Sequence, residues 1–309
     1  MNRLSDLSPQ GLRQRLRGPG LRLRTGPVVI SIRSKVPEVA AGIALHYADH
    51  VVASAHEFAD FHVGVARPGL LRRWLKPQVV FELDGTRPFN PLPGDQGFPM
   101  LEWGMNWCLS GLCHQYLTLH AAVLERNGRA LILPAPSGVG KSTLCAALIF
   151  RGWRLLSDEL ALIDRKSGQI VAAPRPVSLK NASIPLIARF APEAVFGPIV
   201  TETLKGDIAH FKPPVDAVQR SDERATPGWL VFPRYEPGAA AQWSALRKAT
   251  ALTRLIENAF NYNVHGRAGF KLLGGLVDRV DCHTFTYSHL DDAAACFERL
   301  AAGASPLPP

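Results

Sequence analysis

The residues of this chain best suited to chemistry lie in the run 135–143, APSGVGKST, between two apolar segments. Gly138 and Gly140 allow the backbone to curl so that successive N–H groups point inward at phosphate oxygens. The Lys141 ammonium can reach the β- and γ-phosphates of a nucleotide, and the Ser142 hydroxyl is placed to bind Mg²⁺. The run therefore predicts a P-loop that binds a nucleoside triphosphate. The residues expected around the phosphates are Ser137, Gly138, Val139, Gly140, Lys141, Ser142 and Thr143.

A P-loop also needs a carboxylate beside the metal, and the chain supplies Asp158, followed by a second acid, Glu159. Asp158 ends the apolar run Leu155-Leu156-Ser157 and comes sixteen residues after Ser142. Because that distance leaves room for one helix and one strand, we expect Asp158 at the end of the strand that follows the P-loop helix. Ser142 and Asp158 are therefore predicted to lie together at the metal.

The sequence pattern predicts the strand and the helix that must position this loop. Residues 117–125 and 130–133 indicate strands joined by the turn 126–128, and the apolar helix 142–151 ends at Gly152. Further strands are predicted at 28–33, 61–66, 79–83, 154–157, 160–164, 169–172, 177–179 and 283–288. Further helices are predicted at 101–116, 245–259, 270–280 and 291–301.

A change of character near residue 100 predicts two domains. The stretch 88–99 is dense in proline and glycine and is predicted to be a loop. Residues 1–100 are predicted to form a basic arm and a small β-rich domain, and residues 101–309 the nucleotide-binding domain. The proline-rich middle, 185–237, is expected to hold loops and short elements. Strands around a loop-then-helix phosphate site indicate an α/β fold.

The net charge of +9 is concentrated near the N-terminus. The basic residues there are Arg3, Arg13, Arg15, Arg17, Arg22, Arg24, Arg33 and Lys35. No aromatic residues are interleaved with them and no known nucleic-acid module pattern is present, so a solvated, partly helical arm is the favoured interpretation. We therefore expect no nucleic-acid partner.

The sequence also predicts a cytoplasmic protein without a membrane span. No apolar run approaches the roughly 18–20 residues that a span needs, and the N-terminus lacks the apolar stretch of a signal peptide. The five cysteines are scattered, which is typical of reduced structural thiols. His46 and His50 would share one helix face, but without a third ligand no metal site is expected there.

Residues 120–163 carry a wider pattern around the P-loop. It consists of a histidine before a small residue on a strand, a short hairpin, the loop, the turn Arg151-Gly152-Trp153 and the Asp-Glu pair. This pattern resembles the bacterial HPr kinase/phosphorylase family, and more closely the group called HPr-kinase-related kinase A. The resemblance implies a P-loop kinase core of the HPr kinase and phosphoenolpyruvate carboxykinase type, preceded by a small β-rich N-terminal domain. It also leaves a homo-oligomer open, since the HPr enzymes are hexamers.

Residue by residue, the resemblance makes Asp158 the general base and His120 the histidine close to the phosphates. Glu159 stands where the HPr enzymes usually have a second Asp, so it joins Ser142 and Asp158 as a predicted ligand of Mg²⁺. The predicted catalytic residues are thus Asp158, His120 and Lys141. Further cations that would contact the acceptor or the γ-phosphate, or else lie on a solvated surface, are Lys180, Lys205, His210, Lys212 and Arg234.

Together these observations predict an ATP-dependent kinase that uses Mg²⁺ to transfer the γ-phosphate in line to a hydroxyl. The expected acceptor is a Ser or Thr of a protein or peptide. Two alternatives stay open: a kinase of a small hydroxyl metabolite, and a nucleotide-dependent switch or ATPase that yields no phosphorylated product. A closed pocket would favour the metabolite, and an open groove the peptide.

Replacing the P-loop lysine tests this prediction directly. Lys141→Ala should weaken triphosphate binding and abolish turnover, because the ammonium that neutralises the phosphates is lost. Equilibrium binding of ATP and a turnover assay measure the two effects. Ordinary activity in this variant would refute the P-loop assignment.

Overall fold

Strands and helices are interspersed along the chain in the computed structural model, which describes residues 2–69, 76–136 and 138–307. Within these ranges the strands form three sheets, so the predicted α/β class is confirmed. The strands are β1 (Leu21–Thr25), β2 (Val28–Ser34), β3 (Phe61–Ala66), β4 (Gln78–Leu83), β5 (Leu92–Pro93), β6 (Tyr116–Arg126), β7 (Arg129–Pro134), β8 (Arg154–Ser157), β9 (Leu160–Asp164), β10 (Ile170–Val171), β11 (Val177–Lys180), β12 (Val200–Thr203), β13 (Gly206–Phe211), β14 (Thr226–Tyr235), β15 (Gln242–Ala245) and β16 (Asp281–Tyr287). The helices are α1 (Pro9–Arg17), α2 (Pro37–His46), α3 (Gly97–Leu112), α4 (Lys141–Ile149), α5 (Ser183–Phe190), α6 (Val215–Gln219), α7 (Lys248–Glu257), α8 (Tyr262–Arg279) and α9 (Leu290–Ala301). None of the described helices is long and apolar enough to cross a membrane.

The N-terminal sheet has the strand order β1-β2-β3-β4-β5. Its strands β2 and β3 are parallel, and its other neighbours are antiparallel. Helix α1 packs against β2, and α3 packs against β3 and β4. The strands predicted at 28–33, 61–66 and 79–83 are confirmed as β2, β3 and β4.

The prediction of a solvated N-terminal arm is wrong. Leu12 and Leu16 of α1 and Leu21 of β1 are buried in the core beneath the N-terminal sheet. Arg13 and Arg17 stay exposed on the same helix. The two leucines lie four residues apart and form an apolar helix face, which a count of charges does not reveal.

The prediction of a loop over 88–99 is also wrong from residue 92 onward. Strand β5 begins at Leu92, and α3 begins at Gly97 rather than at residue 101. Pro99 is tolerated because it lies in the first turn of α3, where backbone N–H groups have no partner within the helix. Residue 100, the predicted domain boundary, falls inside this helix.

The central sheet has the order β10-β9-β6-β7-β14-β16-β15, and β8 pairs with β6 beside β9. Strand β14 is parallel to both β7 and β16, whereas β6 is antiparallel to β7, β8 and β9. The carboxyl ends of β7, β14 and β16 therefore meet at one edge of the sheet. The β8–β9 turn and the first half of β6 reach the same edge.

Both faces of the central sheet are covered, which explains the uninterrupted apolar sequence of β7. Leu131 and Leu133 enter a core with residues of α4 and α9. Ala130 and Ile132 enter a second core with residues of α7 and α8. The helix that follows the glycine-rich run is thus packed on one face of the sheet.

Strand β14 corrects the prediction that 185–237 holds only loops and short elements. It has ten residues and lies between β7 and β16. The strand was not predicted because it contains Pro227 and Pro233, and proline is rare in central strands. The ladder to β7 shifts register between Pro227 and Trp229, and this irregularity accommodates the missing N–H.

The β6–β7 hairpin fixes the strand that leads to the glycine-rich run. Asn127 and Gly128 have φ of 54° and 77°, as a tight two-residue hairpin turn requires. Glu125 accepts hydrogen bonds from the Gly128 N–H at 2.6 Å and from Arg154 Nε at 2.5 Å. Because Arg154 begins β8, this buried ion pair ties the hairpin to the strand that ends next to Asp158.

Candidate active site

The predicted site residues meet at one edge of the central sheet, where the glycine loop (residues 135–140) joins β7 to α4. Lys141, Ser142 and Thr143 form the first turn of α4. Asp158 and Glu159 lie in the turn between β8 and β9, and His120 lies on β6 opposite Leu160. Ser137, also predicted to bind the nucleotide, falls outside the described residues.

The glycine loop has the curled backbone that the sequence predicts. Gly138 and Gly140 have φ of 94° and 91°, in the region that favours glycine. A Cβ on Gly140 would also lie 2.7 Å from Tyr287 Oη and 2.9 Å from Tyr235 Cβ, so no other residue fits. The Tyr287 hydroxyl donates to the Gly140 carbonyl at 3.0 Å, and the Tyr235 N–H donates to the Val139 carbonyl at 3.1 Å. The ends of β14 and β16 therefore hold the loop in place.

Two buried polar atoms at this loop have no hydrogen-bond partner among the described residues. They are Lys141 Nζ and Asp158 Oδ1. The Lys141 side chain is 4% exposed, and its ammonium lies 3.7 Å from Glu159 Oε2. Leaving such groups without hydrogen bonds is costly, so their environment fits a ligand that supplies both anionic oxygens and a cation.

Asp158 and Glu159 adopt different ionisation because their surroundings differ. Burial, and then the charge of Glu159, raise the pKa of Asp158 to about 6, against the opposing effects of Lys141, Ser142 and the Ser178 N–H. That N–H lies 3.3 Å from Asp158 Oδ2. Burial also acts to raise the pKa of Glu159, but the Lys141 charge and the hydrogen bond with His120 outweigh it and lower that pKa. The pair thus combines one ionised acid with one that takes up a proton near neutral pH.

His120 contacts one member of the acid pair, Glu159. Its Nε2 lies 3.1 Å from Glu159 Oε2. The ring also packs against Phe260 at 5.7 Å between centroids, and the His120 N–H donates to the Asn258 carbonyl at 2.7 Å. Backbone and ring contacts therefore fix the side chain that orients Glu159.

Beside these residues lies a cleft of about 480 Å³, to which Lys180 and Lys205 contribute. Lys180 helps to lower the pKa of Glu159, and burial lowers the pKa of Lys205, as does the charge of Lys180. The cleft is therefore strongly cationic, as the binding of a polyphosphate requires.

The other three cations weighed as phosphate or acceptor contacts do not line this cleft. His210 is buried, with its ring 5.3 Å from that of Phe98. Lys212 forms an ion pair with Asp49 at 2.6 Å, and Arg234 forms one with Glu236 at 3.4 Å. For His210 the solvated-surface alternative was wrong, because its side chain is buried.

His46 and His50 also belong to the interior. The His46 ring stacks on Phe98 at 5.0 Å, and His50 Nε2 lies 2.9 Å from the Pro174 carbonyl oxygen. Across the described ranges, no three His, Cys, Asp or Glu side chains form a group that could hold a metal by themselves. A Mg²⁺ ion needs fewer, because it is usually held by one or two carboxylates together with substrate phosphates.

Several residues of this site carried no signal in the sequence. Ser183 was missed; its Oγ forms a hydrogen bond of 2.7 Å with Oγ1 of the predicted Thr143, and both residues line the cleft. Tyr235 and Ser178 were missed because their contacts depend on which strands are neighbours. A prediction of β14 as a central strand would have placed Tyr235 beside the loop.

One of the comparisons with known proteins covers the glycine loop and the acid pair. Residues 107–182 match the family described as SynChlorMet cassette protein ScmC. The HPr kinase/phosphorylase of Chloroherpeton thalassium (strain ATCC 35110 / GB-78) is 36% identical over 61 residues, which span 20% of this chain and 18% of that protein. The structure of the Hpr(Ser) kinase/phosphatase from Coxiella burnetii aligns over 60% of this chain and 99% of that one, with 13% identity and a TM-score of 0.26. The short sequence match supports an HPr kinase-like relationship, as the residue pattern predicted.

The raised pKa of Asp158 predicts that this residue destabilises the protein at neutral pH. Asp158→Asn should raise the free energy of unfolding at pH 8 by about 3 kcal/mol, since the pKa lies at about 6 in the folded state against 3.8 ordinarily. A raised folded-state pKa means that the wild type loses this stability as the pH rises from about 4 through about 6. Urea unfolding at pH 4 and pH 8, without nucleotide or Mg²⁺, measures the difference.

The two proteins should have similar stability at pH 4, where Asp158 is mostly protonated in the folded state. The exposed Asp222→Asn is the matched control and should change stability little at either pH. Equal stability of the wild type and Asp158→Asn at pH 8 would contradict the prediction.

Proposed function

We propose that this chain is an ATP-dependent phosphotransferase that transfers the γ-phosphate to a Ser or Thr hydroxyl of a protein or peptide. The observation that carries this proposal is a pair of buried polar atoms beside the cleft that make no hydrogen bond within the described ranges. Among the described residues, nothing hydrogen-bonds to Lys141 Nζ or Asp158 Oδ1. The relationship to the HPr kinases supports the same class of activity.

In this proposal the loop amides and Lys141 bind the β- and γ-phosphates, and Ser142, Asp158 and Glu159 hold Mg²⁺. Bound Mg²⁺ would neutralise phosphate charge and hold the oxygens for in-line displacement. The ionised Glu159 and the hydroxyl at the first turn of α4 suit this hard cation. The hydrogen bond between His120 and Glu159 keeps that carboxylate oriented.

Asp158 is the proposed general base. The acceptor oxygen forms a bond to the γ-phosphorus, the bond from that phosphorus to the β–γ bridging oxygen breaks, and the hydroxyl proton passes to Asp158. Burial raises the pKa of this carboxyl towards neutrality, which increases its proton affinity while leaving it ionised at pH 7. The Ser178 N–H at 3.3 Å orients the carboxylate.

Exposed apolar side chains beside the cleft favour a protein or peptide acceptor. Leu186 of α5 lines the cleft and is partly exposed, and Leu204, next to Lys205, is 89% exposed. A contiguous apolar patch at the rim of a site is typical of a surface that binds another chain, and we infer that Leu186 and Leu204 belong to one. A free metabolite enclosed by the cleft would not reach Leu204.

The division of the chain into an N-terminal domain and a P-loop kinase core is part of the same proposal, with the predicted boundary near residue 100 moved to the end of α3. The separate N-terminal sheet supports it. Helix α3 packs on that sheet, so it belongs on the N-terminal side of the boundary. The core then begins with β6.

The function is tested by incubating the purified protein with γ-labelled ATP and Mg²⁺, with and without lysate of its source, and separating the products by size. We expect label on a discrete protein or peptide, absent with Lys141→Ala. A new labelled small molecule would instead indicate a metabolite kinase. Release of phosphate alone would indicate a switch or ATPase.

The base assignment predicts a pH dependence of transfer. With ATP varied, kcat/KM should fall about tenfold per pH unit below about 6, because Asp158 must be ionised in the free enzyme. Asp158→Asn should lower kcat by roughly 10²–10⁴ and remove this dependence. The Asp222→Asn variant should keep the wild-type profile; a wild-type rate that stays flat from pH 5 to 8 would exclude Asp158 as the base.

A further inference from the structure

The strand order indicates on which side of β7 the phosphates and the base of a bound nucleotide would lie. The groups that act on the γ-phosphate, Asp158, Glu159 and His120, all lie on the β6 and β9 side of β7. On the other side of β7 lie β14 and β16, which are parallel to it. Ligands of parallel sheets bind at the carboxyl ends of the strands. A triphosphate with its γ-phosphate near Asp158 therefore extends its base over the ends of β14 and β16.

Those two ends each carry a tyrosine in register, Tyr235 on β14 and Tyr287 on β16. Tyr287 is 1% exposed, and its hydroxyl donates a hydrogen bond to the Gly140 carbonyl. Tyr235 is 45% exposed and lines the same cleft as Gly140 and Lys141. The cleft therefore has an accessible aromatic ring next to the loop that would hold the phosphates.

The Tyr235 ring is held in position before any ligand arrives. Its N–H donates to the Val139 carbonyl at 3.1 Å, which joins β14 to the glycine loop. Its ring lies 5.8 Å from that of Tyr287 at an angle of 69°, an edge-to-face contact. The next N–H, of Glu236, donates to the Tyr287 carbonyl at 2.9 Å and fixes the strand end. A ring restrained in this way loses little entropy when a flat ligand stacks on it.

We propose that Tyr235 is the base-binding residue of the nucleotide site, stacking its ring on the nucleobase while the glycine loop holds the phosphates. This inference rests on the proposed nucleotide binding. Every base has a π-face, so stacking supplies affinity without selecting one purine over another. Tyr235 is thus a binding residue for both ATP and GTP.

Titration calorimetry with Mg-ATP, Mg-GTP and Mg-tripolyphosphate tests the proposal, because tripolyphosphate has the phosphates without the base. Tyr235→Ala should weaken ATP and GTP about tenfold, the change that 1.4 kcal/mol produces, and leave tripolyphosphate within about twofold. Tyr235→Phe, which keeps the ring, should bind all three as the wild type does. Phe58→Ala removes another exposed aromatic, in the N-terminal region and 79% exposed, and should change nothing.

Unchanged ATP affinity in Tyr235→Ala would overturn the proposal. Equal loss of ATP and tripolyphosphate would also overturn it, since Tyr235 would then act only by supporting the loop. A wild-type protein that binds tripolyphosphate as tightly as ATP would show that the base contributes nothing. A wild type that binds neither probe would instead refute the proposed function, and this inference with it.

Discussion

A single buried ammonium controls the electrostatics of this site. Lys141 Nζ lies 3.7 Å from Glu159, and its charge favours ionisation of Glu159 and of its neighbour Asp158. Burial opposes ionisation of both acids, and two adjacent carboxylates repel each other. His120 and Lys180 also favour ionisation of Glu159. As a result Glu159 is ionised, whereas Asp158 has a pKa of about 6. Without the ammonium, the pKa of each acid would be higher.

The fold keeps this charge arrangement from relaxing. The glycine loop is bound to β14 and β16 by Tyr235 and Tyr287, so Lys141 starts its helix at a fixed point. The acids are fixed from the other side, because the Glu125–Arg154 ion pair ties β8 to the β6–β7 hairpin. Both halves of the site are therefore attached to the central sheet. Such attachment suits phosphoryl transfer, since most of its catalysis is positioning.

The price of this arrangement is stability. A carboxylate held at Asp158 with one oxygen lacking a hydrogen bond among the described residues is unfavourable in a folded protein. Proteins commonly tolerate such groups where binding or chemistry relieves them. The hydrophobic cores on both faces of the central sheet stabilise the fold and offset this unfavourable free energy.

Local elements with their own signals were predictable from the sequence, including β2, β3, the β6–β7 hairpin and α4. Elements whose amino-acid composition is atypical of their secondary structure could not be predicted. Strand β14 contains two prolines, and its place in the sheet depends on a register shift beside β7. The leucines of α1 were outweighed by its arginines, yet their burial decides where the helix lies. Burial and strand neighbours are properties of the assembled chain, so no local window of sequence contains them.

By itself, the sequence determined the glycine loop, its lysine and hydroxyl, and the acids one strand later, because spacing within one helix and one strand leaves little freedom. Only the tertiary structure decided what surrounds them. It brought His120 to Glu159, separated His210, Lys212 and Arg234 from the cleft, and set Tyr235 beside the loop. Those outcomes depend on the order of strands in the sheet, which is fixed by long-range packing rather than by neighbouring residues.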